Sequence, residues 1–511
     1  FRSTIEQYNY YSLSASGSSI TNPVETNWYV NNATEDLNAN GSDGVSRVRR
    51  ASFIARGFYN YADRYMITAT FRADGSSKFP KKTWGFFPSV ALAWRMSEET
   101  WLKDVDWLDQ LKLRAGWGRV GNDDVGNNAF TLTMGSSNSW FYAYPFGKNQ
   151  ELQAGAAVLQ YVNEDGKWET NEQWNVGIDF GFWNGMLSGN IDGFIRDTKD
   201  ALLYVNSPAY AGSQFPITKN VGNLRNMGIE IALDHHHKVN KFNYSIGGNI
   251  SFIKNEVTAL NGGSSLPGDR TMTDEGMALN TLWGYKYLGI YQSDEEAVAA
   301  FPNATGLHAG DAKYEDLNGD GKLDENDKQK IGNPFPWLTY GLNFTADFYG
   351  VDIQIFFQGV YGNQIYNAMR ERLEGTGEAA TLSSKMKDVW IGYSDNVRMS
   401  LLEQGVDYRQ LENRNGTIPN PNGASTNFSD NSRFVESGAY FRLKNIQIGY
   451  TLPKNITQKA YIERLRFYVS ASNLFTITKY SGYDPEVGTG GVDYGNYPQS
   501  RTFTFGLNLN F

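Results

Sequence analysis

The sequence predicts an all-β protein, a transmembrane antiparallel β-barrel, and three observations carry that prediction. The last stretch sets Phe503, Phe505, Leu507, Leu509 and Phe511 against Thr502, Thr504, Gly506, Asn508 and Asn510. This is the period-two alternation of a strand with one apolar and one polar face. Such strands recur along the chain. The segments between them alternate between tight turns and long excursions. A soluble sheet would press its apolar face on a core, whereas a barrel turns it to lipid and crosses the membrane in about ten residues.

Composition fits this class. The chain has 511 residues, 40% hydrophobic and 14% aromatic, with 53 Gly and no Cys. No apolar run approaches the roughly 18 residues a membrane helix needs. A barrel strand shows lipid only every second residue, so a mean hydropathy of -0.49 is compatible with it. Thirty-one Tyr, 30 Phe and 13 Trp suit interfacial girdles or a ligand-facing surface. The lack of cysteine fits an oxidising compartment. A net charge of -9 argues against nucleic acid as a partner. The chain opens on Phe1 without Met or a secretory leader and reads as a portion of a longer protein.

In chain order, Phe53/Ala55/Gly57/Tyr59/Tyr61 and Tyr65/Ile67/Ala69/Phe71 flank a tight break at Ala62-Asp63. Val90/Leu92/Trp94/Met96 and Leu111/Leu113/Ala115/Trp117 come next. Trp174 to Phe182 turns at Trp183-Asn184-Gly185 into Leu187 to Ile195. Met227 to Leu233 is expected to turn through His235-His236-His237-Lys238 into Phe242 to Phe252. Leu338 to Phe348 turns at Tyr349-Gly350 into Val351 to Phe357. Strands near 438–452 and 463–475 precede the last one, and the first of these loses phase near Lys444-Asn445, which predicts a β-bulge. That gives about thirteen strands, or about fourteen if residues near 5–16 form one. Long excursions are expected at 73–86, 119–170, 198–223, 254–336, 362–437 and 476–499. If the turn at Tyr349-Gly350 is periplasmic, every short turn and the C-terminus are periplasmic as well, provided 254–336 is one extracellular excursion. A sandwich rarely carries this many long loops, and no blade-length repeat marks a propeller.

Four segments resemble the SusC/RagA-like branch of TonB-dependent outer-membrane transporters of Bacteroidota. They are Arg64 to Phe79 with Trp84-Gly-Phe-Phe-Pro-Ser89; Leu111 to Asn122; Gly310 to Gly321 with Ile331-Gly-Asn-Pro334 and Phe357-Gln-Gly359; and Leu465 to Phe475 with Gly482-Tyr-Asp-Pro-Glu486. The terminal aromatic is also similar to the C-terminal signal of bacterial outer-membrane barrels. The resemblance implies a barrel of about 22 strands closed by an N-terminal plug. Residues 1–511 would supply its C-terminal part, with the plug and about eight strands lying outside the chain. It further implies TonB-dependent import of oligosaccharides or oligopeptides, a SusD-like surface lipoprotein as lid, and energisation by TonB-ExbB-ExbD through the missing N-terminal region. The remaining partners would be outer-membrane lipid and a glycan or peptide substrate.

Asp316-Leu-Asn-Gly-Asp-Gly-Lys-Leu-Asp-Glu-Asn-Asp327 has the spacing of a twelve-residue EF-hand-type Ca²⁺ loop. Asp316, Asn318 and Asp320 would ligate through side chains and Lys322 through its carbonyl. Gly321 would make the sharp turn, Asp324 would act through water and Asp327 would close the site. Asp at the last position has a shorter reach than the usual Glu. The bland alternative is a solvated acidic turn, and a bound ion would be a structural staple. Trp140, Phe141 and Tyr142, on a long excursion, are candidates for substrate contact because aromatic faces suit sugars and peptide side chains; packing within the loop is the competing reading. Trp283-Gly-Tyr-Lys-Tyr287 reads as a small hairpin. The three consecutive histidines alternate faces and cannot converge on a metal. There is no phosphate-binding Gly loop and no Cys nucleophile, and the four His offer no plausible triad, so the chain is not expected to be an enzyme. Two other functions are compatible with the sequence: a SusC-like barrel acting as a scaffold without transport, and a secreted lectin-like β-protein, against which the lipid-facing alternation speaks.

Overall fold

A computed structural model describes residues 1–12, 16–20, 33–38, 44–127, 129–130, 132–137, 144–153, 155–205, 217–260, 265–302, 306–375 and 382–511. Fourteen strands hydrogen-bond in one sheet in sequence order. They are β1 (Arg2–Ser12), β2 (Gly44–Tyr61), β3 (Tyr65–Ser76), β4 (Trp84–Arg95), β5 (Leu108–Asn122), β6 (Glu169–Phe182) and β7 (Leu187–Val205). After them come β8 (Ile217–Val239), β9 (Phe242–Leu260), β10 (Leu338–Phe348), β11 (Val351–Tyr361), β12 (Tyr440–Thr451), β13 (Arg464–Thr478) and β14 (Thr502–Asn510). The described strand pairs of this sheet are antiparallel. No described helix is long and apolar enough to cross a membrane.

The chain forms two compact units. One comprises Phe1–Ala93, Ala115–Trp174 and Arg196–Asn223; the other comprises Trp94–Arg114, Asn175–Ile195 and Leu224–Phe511.

In the second unit, register turns the sequence alternation into two surfaces. Tyr244, Ala346, Ile353, Ile448, Val469 and Phe505 stand opposite one another across six strands. One residue along, Ser245, Thr345, Gln354, Gln447, Ser470 and Thr504 form a parallel row. Successive side chains point to opposite faces, so one row belongs to an apolar face and the other to a polar one. A one-residue slip of any strand would exchange them. The apolar face is bare: Ile448, Val469 and Phe505 expose 49%, 46% and 79% of their surface. In the first unit Thr4, Ser52 and Asp74 make the equivalent polar row, beside Ser3, Phe53 and Ala73.

Short turns sit where the sequence places them. Tyr349 (φ 50°) and Gly350 (φ 85°) both adopt left-handed backbone, the requirement of a two-residue turn matched to strand twist. A Cβ on Gly350 would lie 2.6 Å from the Thr451 carbonyl. The predicted bulge is present: pairing on both sides of β12 shifts at Lys444.

Three expectations are corrected. Residues 235–238 do not turn, because β8 continues through all three histidines to Val239 and the turn falls at Asn240-Lys241. A polar triplet is permitted there because the strand is leaving the apolar zone. The 73–86 excursion shrinks to 77–83, held by Ser76 N–H donating to the Thr83 carbonyl (3.0 Å) over the buried Phe79 ring. Residues 283–287 are not a hairpin. Thr281–Tyr285 pairs with Lys328–Gly332, while Tyr287–Ile290 pairs with Ala312–Tyr314, so consecutive segments find distant partners. The strands also outrun their predicted ends: β7, β8 and β9 have 19, 23 and 19 residues, about twice what a membrane crossing needs.

The two faces should respond differently to charge. Leu342→Arg, in the middle of β10 on the apolar face, is expected to destabilise the protein in lipid by about 2–4 kcal/mol. Gln354→Arg, on the polar face, should cost well under half of that. Denaturant titration in lipid vesicles measures both, and equal costs would show that the faces are misassigned.

Candidate functional site

The long excursions of the second unit fold together. The described parts of 261–337, 362–439 and 479–501 leave neighbouring strands at the end opposite the tight turns; the first buries clusters of its own around Tyr285 and Tyr291. Gln364–Asn367 pairs antiparallel with Val435–Ser437 and parallel with Val492–Asp493. Around this small sheet Leu282 packs against Tyr366, Ala368 and Phe434, with Val492 and Phe428 beside them. One hydrophobic cluster therefore draws side chains from all three excursions.

Ion pairs tie the same segments. The Arg270 guanidinium clasps Glu371 through Nε–Oε2 (2.9 Å) and Nη2–Oε1 (2.8 Å). Tyr366 donates its hydroxyl to Glu371 (2.6 Å). The Glu371 carboxylate holds the Arg270 pKa above its ordinary value, and burial raises that of Tyr366. Arg433 Nη2 lies 2.5 Å from Glu374, and Arg370 reaches Glu374 and Glu436. At the root of the third excursion Arg442, 3% exposed, bonds Asp484 (2.7 Å) and Glu486 (2.6 Å), while the bulge residue Lys444 also reaches Glu486 (2.9 Å). Buried pairs of this kind are costly to break singly, because the remaining charge is stranded.

The polar face of each unit carries its own charged wall. In the first unit Arg50 and Ser76 converge on Asp123, and Glu172 accepts from Trp117, Arg119 and Lys199. A cavity of about 670 Å³ opens there, lined among others by Arg2, Arg50, Arg72, Arg119, Asp74 and Trp168. In the second unit Arg114 bridges Asp179 (2.7 Å) and Asp192 (2.9 Å). Gly177 makes room for this contact, since a Cβ there would lie 2.2 Å from Asp192. At the tight-turn end a cavity of about 520 Å³ is lined by Asp352, Arg464, Arg466, His236 and Gln354 among others. Such a wall is wettable and dense in paired donors and acceptors, which suits passage of a polar solute rather than a chemical step.

The predicted cation loop lies between the Ala312–Tyr314 and Lys328–Gly332 strands. Asp316 accepts from the N–H groups of Gly319 (2.7 Å) and Gly321 (3.0 Å). The wholly buried Asp327 accepts from Leu317 (3.0 Å) and Asp324 (2.9 Å). Asn318 and Asp320 accept from backbone within the loop, as does Asp324, and Gly321 takes φ 71°. Asp316, Asn318, Asp320, Asp324, Asp327 and the Lys322 carbonyl form an all-oxygen set, the chemistry Ca²⁺ prefers. Among the described residues, however, no group of three or more acidic, His or Cys side chains stands close enough to hold an ion. Trp140, Phe141 and Tyr142 lie outside the described residues.

Comparison with known proteins decides the class. The family described as TonB dependent receptor-like, beta-barrel matches residues 2–361. The chain belongs to that family. It is 32% identical over 92% of its length to TonB-dependent receptor P3 of Formosa agariphila, covering 46% of that protein. It is 31% identical over 91% of its length to TonB-dependent receptor SusC of Bacteroides thetaiotaomicron, covering 44% of it. The chain thus spans about half the length of these relatives. In fold it is similar to the RagAB peptide transporter, with a TM-score of 0.77 over 94% of the chain and 50% of that structure at 23% identity. TonB-dependent receptor barrels are outer-membrane proteins and are not enzymes.

Within this receptor barrel the loop ion pairs escaped sequence reading. Arg270 and Glu371 are 101 positions apart, and no local pattern joins them. Only Asp484 and Glu486 fell within a recognisable motif, Gly482 to Glu486.

A pH dependence follows for the subsite around Glu412. Burial pushes this carboxyl up, but the Tyr393 N–H (3.0 Å) and the Arg398 guanidinium (2.8 Å) outweigh it and hold the pKa at about 2, below the usual 4.5. A depressed carboxyl stabilises the fold above its unfolded pKa and loses that contribution as pH falls towards the folded value. The protection of the Tyr393 amide relative to its intrinsic exchange rate is therefore expected to fall between about pH 4.5 and about pH 2, and Glu412→Gln should lower it already at neutral pH. Unchanged exchange in the variant would remove Glu412 as the clasp.

Proposed function

We propose that the full-length protein imports oligosaccharides or oligopeptides across the outer membrane in a TonB-dependent manner, with a SusD-like lipoprotein as lid. The observation that carries this reading is the loop assembly: three excursions fused into one body beside a sheet whose polar face is lined with paired charges. Kinship with SusC and likeness in fold to RagAB support it. In this reading the loops and lid capture substrate, and movement of a plug contributed by the rest of the protein opens a path along the polar face. The tight turns and C-terminus face the periplasm and the loops face outward.

The test uses cells expressing the complete gene with its neighbouring lipoprotein gene. Uptake of fluorescent oligosaccharides and oligopeptides is expected for one class, and is expected to stop when the TonB-binding segment is deleted. Uptake of neither, or uptake indifferent to that deletion, would overturn the proposal. Residues 1–511 contain no cysteine, so a thiol introduced there can report the orientation of this part of the protein. In intact cells Gly488→Cys should label with an impermeant maleimide, and Asn240→Cys only after permeabilisation.

Residues 316–327 are further proposed to hold a structural Ca²⁺ through Asp316, Asn318, Asp320, Lys322, Asp324 and Asp327. The EF-hand-like spacing, the glycine turn and the buried Asp327 support this, although the acidic side chains have not converged. Luminescence of Tb³⁺ bound to the detergent-solubilised full-length protein should appear, compete with Ca²⁺ and vanish in Asp316→Asn/Asp320→Asn. No signal from the unmodified protein would sink the idea.

A further inference from the structure

The histidines that do not form the turn occupy a distinctive place. His235 and His237 share the apolar face of β8 with Leu233 and Val239, because residues two apart point the same way. Their rings stack on each other at 6.3 Å and both meet Tyr244 of β9, at 5.6 and 6.2 Å. His235 Nε2 lies 3.1 Å from the Tyr244 hydroxyl. The patch continues through Phe242 and Phe348 to Tyr349, over whose ring Lys241 places its ammonium at 4.6 Å. It lies at the tight-turn end, just beyond the apolar zone marked by the exposed Ile229, Leu233, Ile246 and Leu342.

The charge around this patch has one sign. On β8, Glu230 and Asp234 alternate with the histidines and fall on the polar face, as do His236 and Lys238. On β10 and β11, Asp347 and Asp352 do the same: Asp347 accepts from Asn243, and both acids line the polar-face cavity. On the β7 side the neighbouring residues are Met186, Leu187 and Gly189, and a Cβ on Gly189 would touch Leu233. What remains facing outward is two imidazoles, one ammonium and a bed of aromatic rings, with no described carboxylate from β7 to β11 beside them. Lys and aromatic side chains at such a boundary favour anionic headgroups, and imidazole N–H groups add hydrogen-bond donors to the phosphate oxygens.

We propose that His235, His237, Tyr244 and Lys241 form a headgroup site for an anionic glycerophospholipid, whose phosphate is held by the ammonium and the imidazole N–H groups while its acyl chains lie along Leu233, Ile246 and Leu342. That the lipid belongs to the periplasmic leaflet rests on the orientation proposed above; the binding itself does not.

The test takes the full-length protein from nanodiscs containing equal phosphatidylglycerol and phosphatidylcholine and counts retained lipids by native mass spectrometry. Preferential retention of phosphatidylglycerol is expected. Lys241→Gln should reduce it by about fivefold, and His235→Gln/His237→Gln should reduce it as well. His236→Gln, on the opposite face, should leave it unchanged, and heat-modifiable migration verifies that each variant is folded. Equal retention of both lipids, retention unchanged in Lys241→Gln and in the double variant, or selective retention of lipid A in place of phosphatidylglycerol when both are offered would overturn the assignment. Maleimide labelling of the two cysteine variants separately reports whether the orientation holds.

Discussion

The constraint on which this structure depends is that hydrocarbon offers no hydrogen bonds to backbone. Every N–H and C=O at membrane depth must be satisfied within the sheet. That requirement fixes extended backbone, antiparallel pairing of sequential neighbours and a side-chain period of two. Everything else on the sheet follows from which residue falls on which phase. The row from Tyr244 to Phe505 is tolerated because lipid covers it, and the row from Ser245 to Thr504 because water or solute covers it.

Outside the membrane the constraint reverses. The excursions of the second unit are bathed in water and must build a core as a soluble domain does. The first does so partly alone, around Tyr285 and Tyr291, and all three pool Leu282, Tyr366, Phe434 and Val492 into a shared cluster. Around that core, charges that would be intolerable singly are buried in pairs, with Arg433 and Glu374 6% and 1% exposed. Such pairs contribute little net stability, but removing one partner would strand the other charge.

The tight-turn end has a different logic. Turns such as Tyr349-Gly350 hold register with two residues, and the flanking positions carry amphipathic rings and Lys241 where hydrocarbon gives way to headgroups. The bulge at Lys444 does related work at the other end. It changes the phase of β12 so that Ile446 and Ile448 remain outside while Lys444 reaches Glu486 and fastens the third excursion to the wall.

Sequence alone determined the class, the strand positions, the alternation of turns and excursions and the bulge, because each is written in period two or in turn chemistry within a dozen residues. It misplaced the turn after β8 and the length of the 73–86 connection, because a polar triplet such as His235 to His237 marks the end of lipid and not the end of a strand. The tertiary structure alone decided the loop assembly. Arg270 finds Glu371, and Tyr287–Ile290 finds Ala312–Tyr314, through contacts that no local pattern encodes. Register within a sheet is a local code repeated many times. The partners of a buried charge are chosen by the fold as a whole.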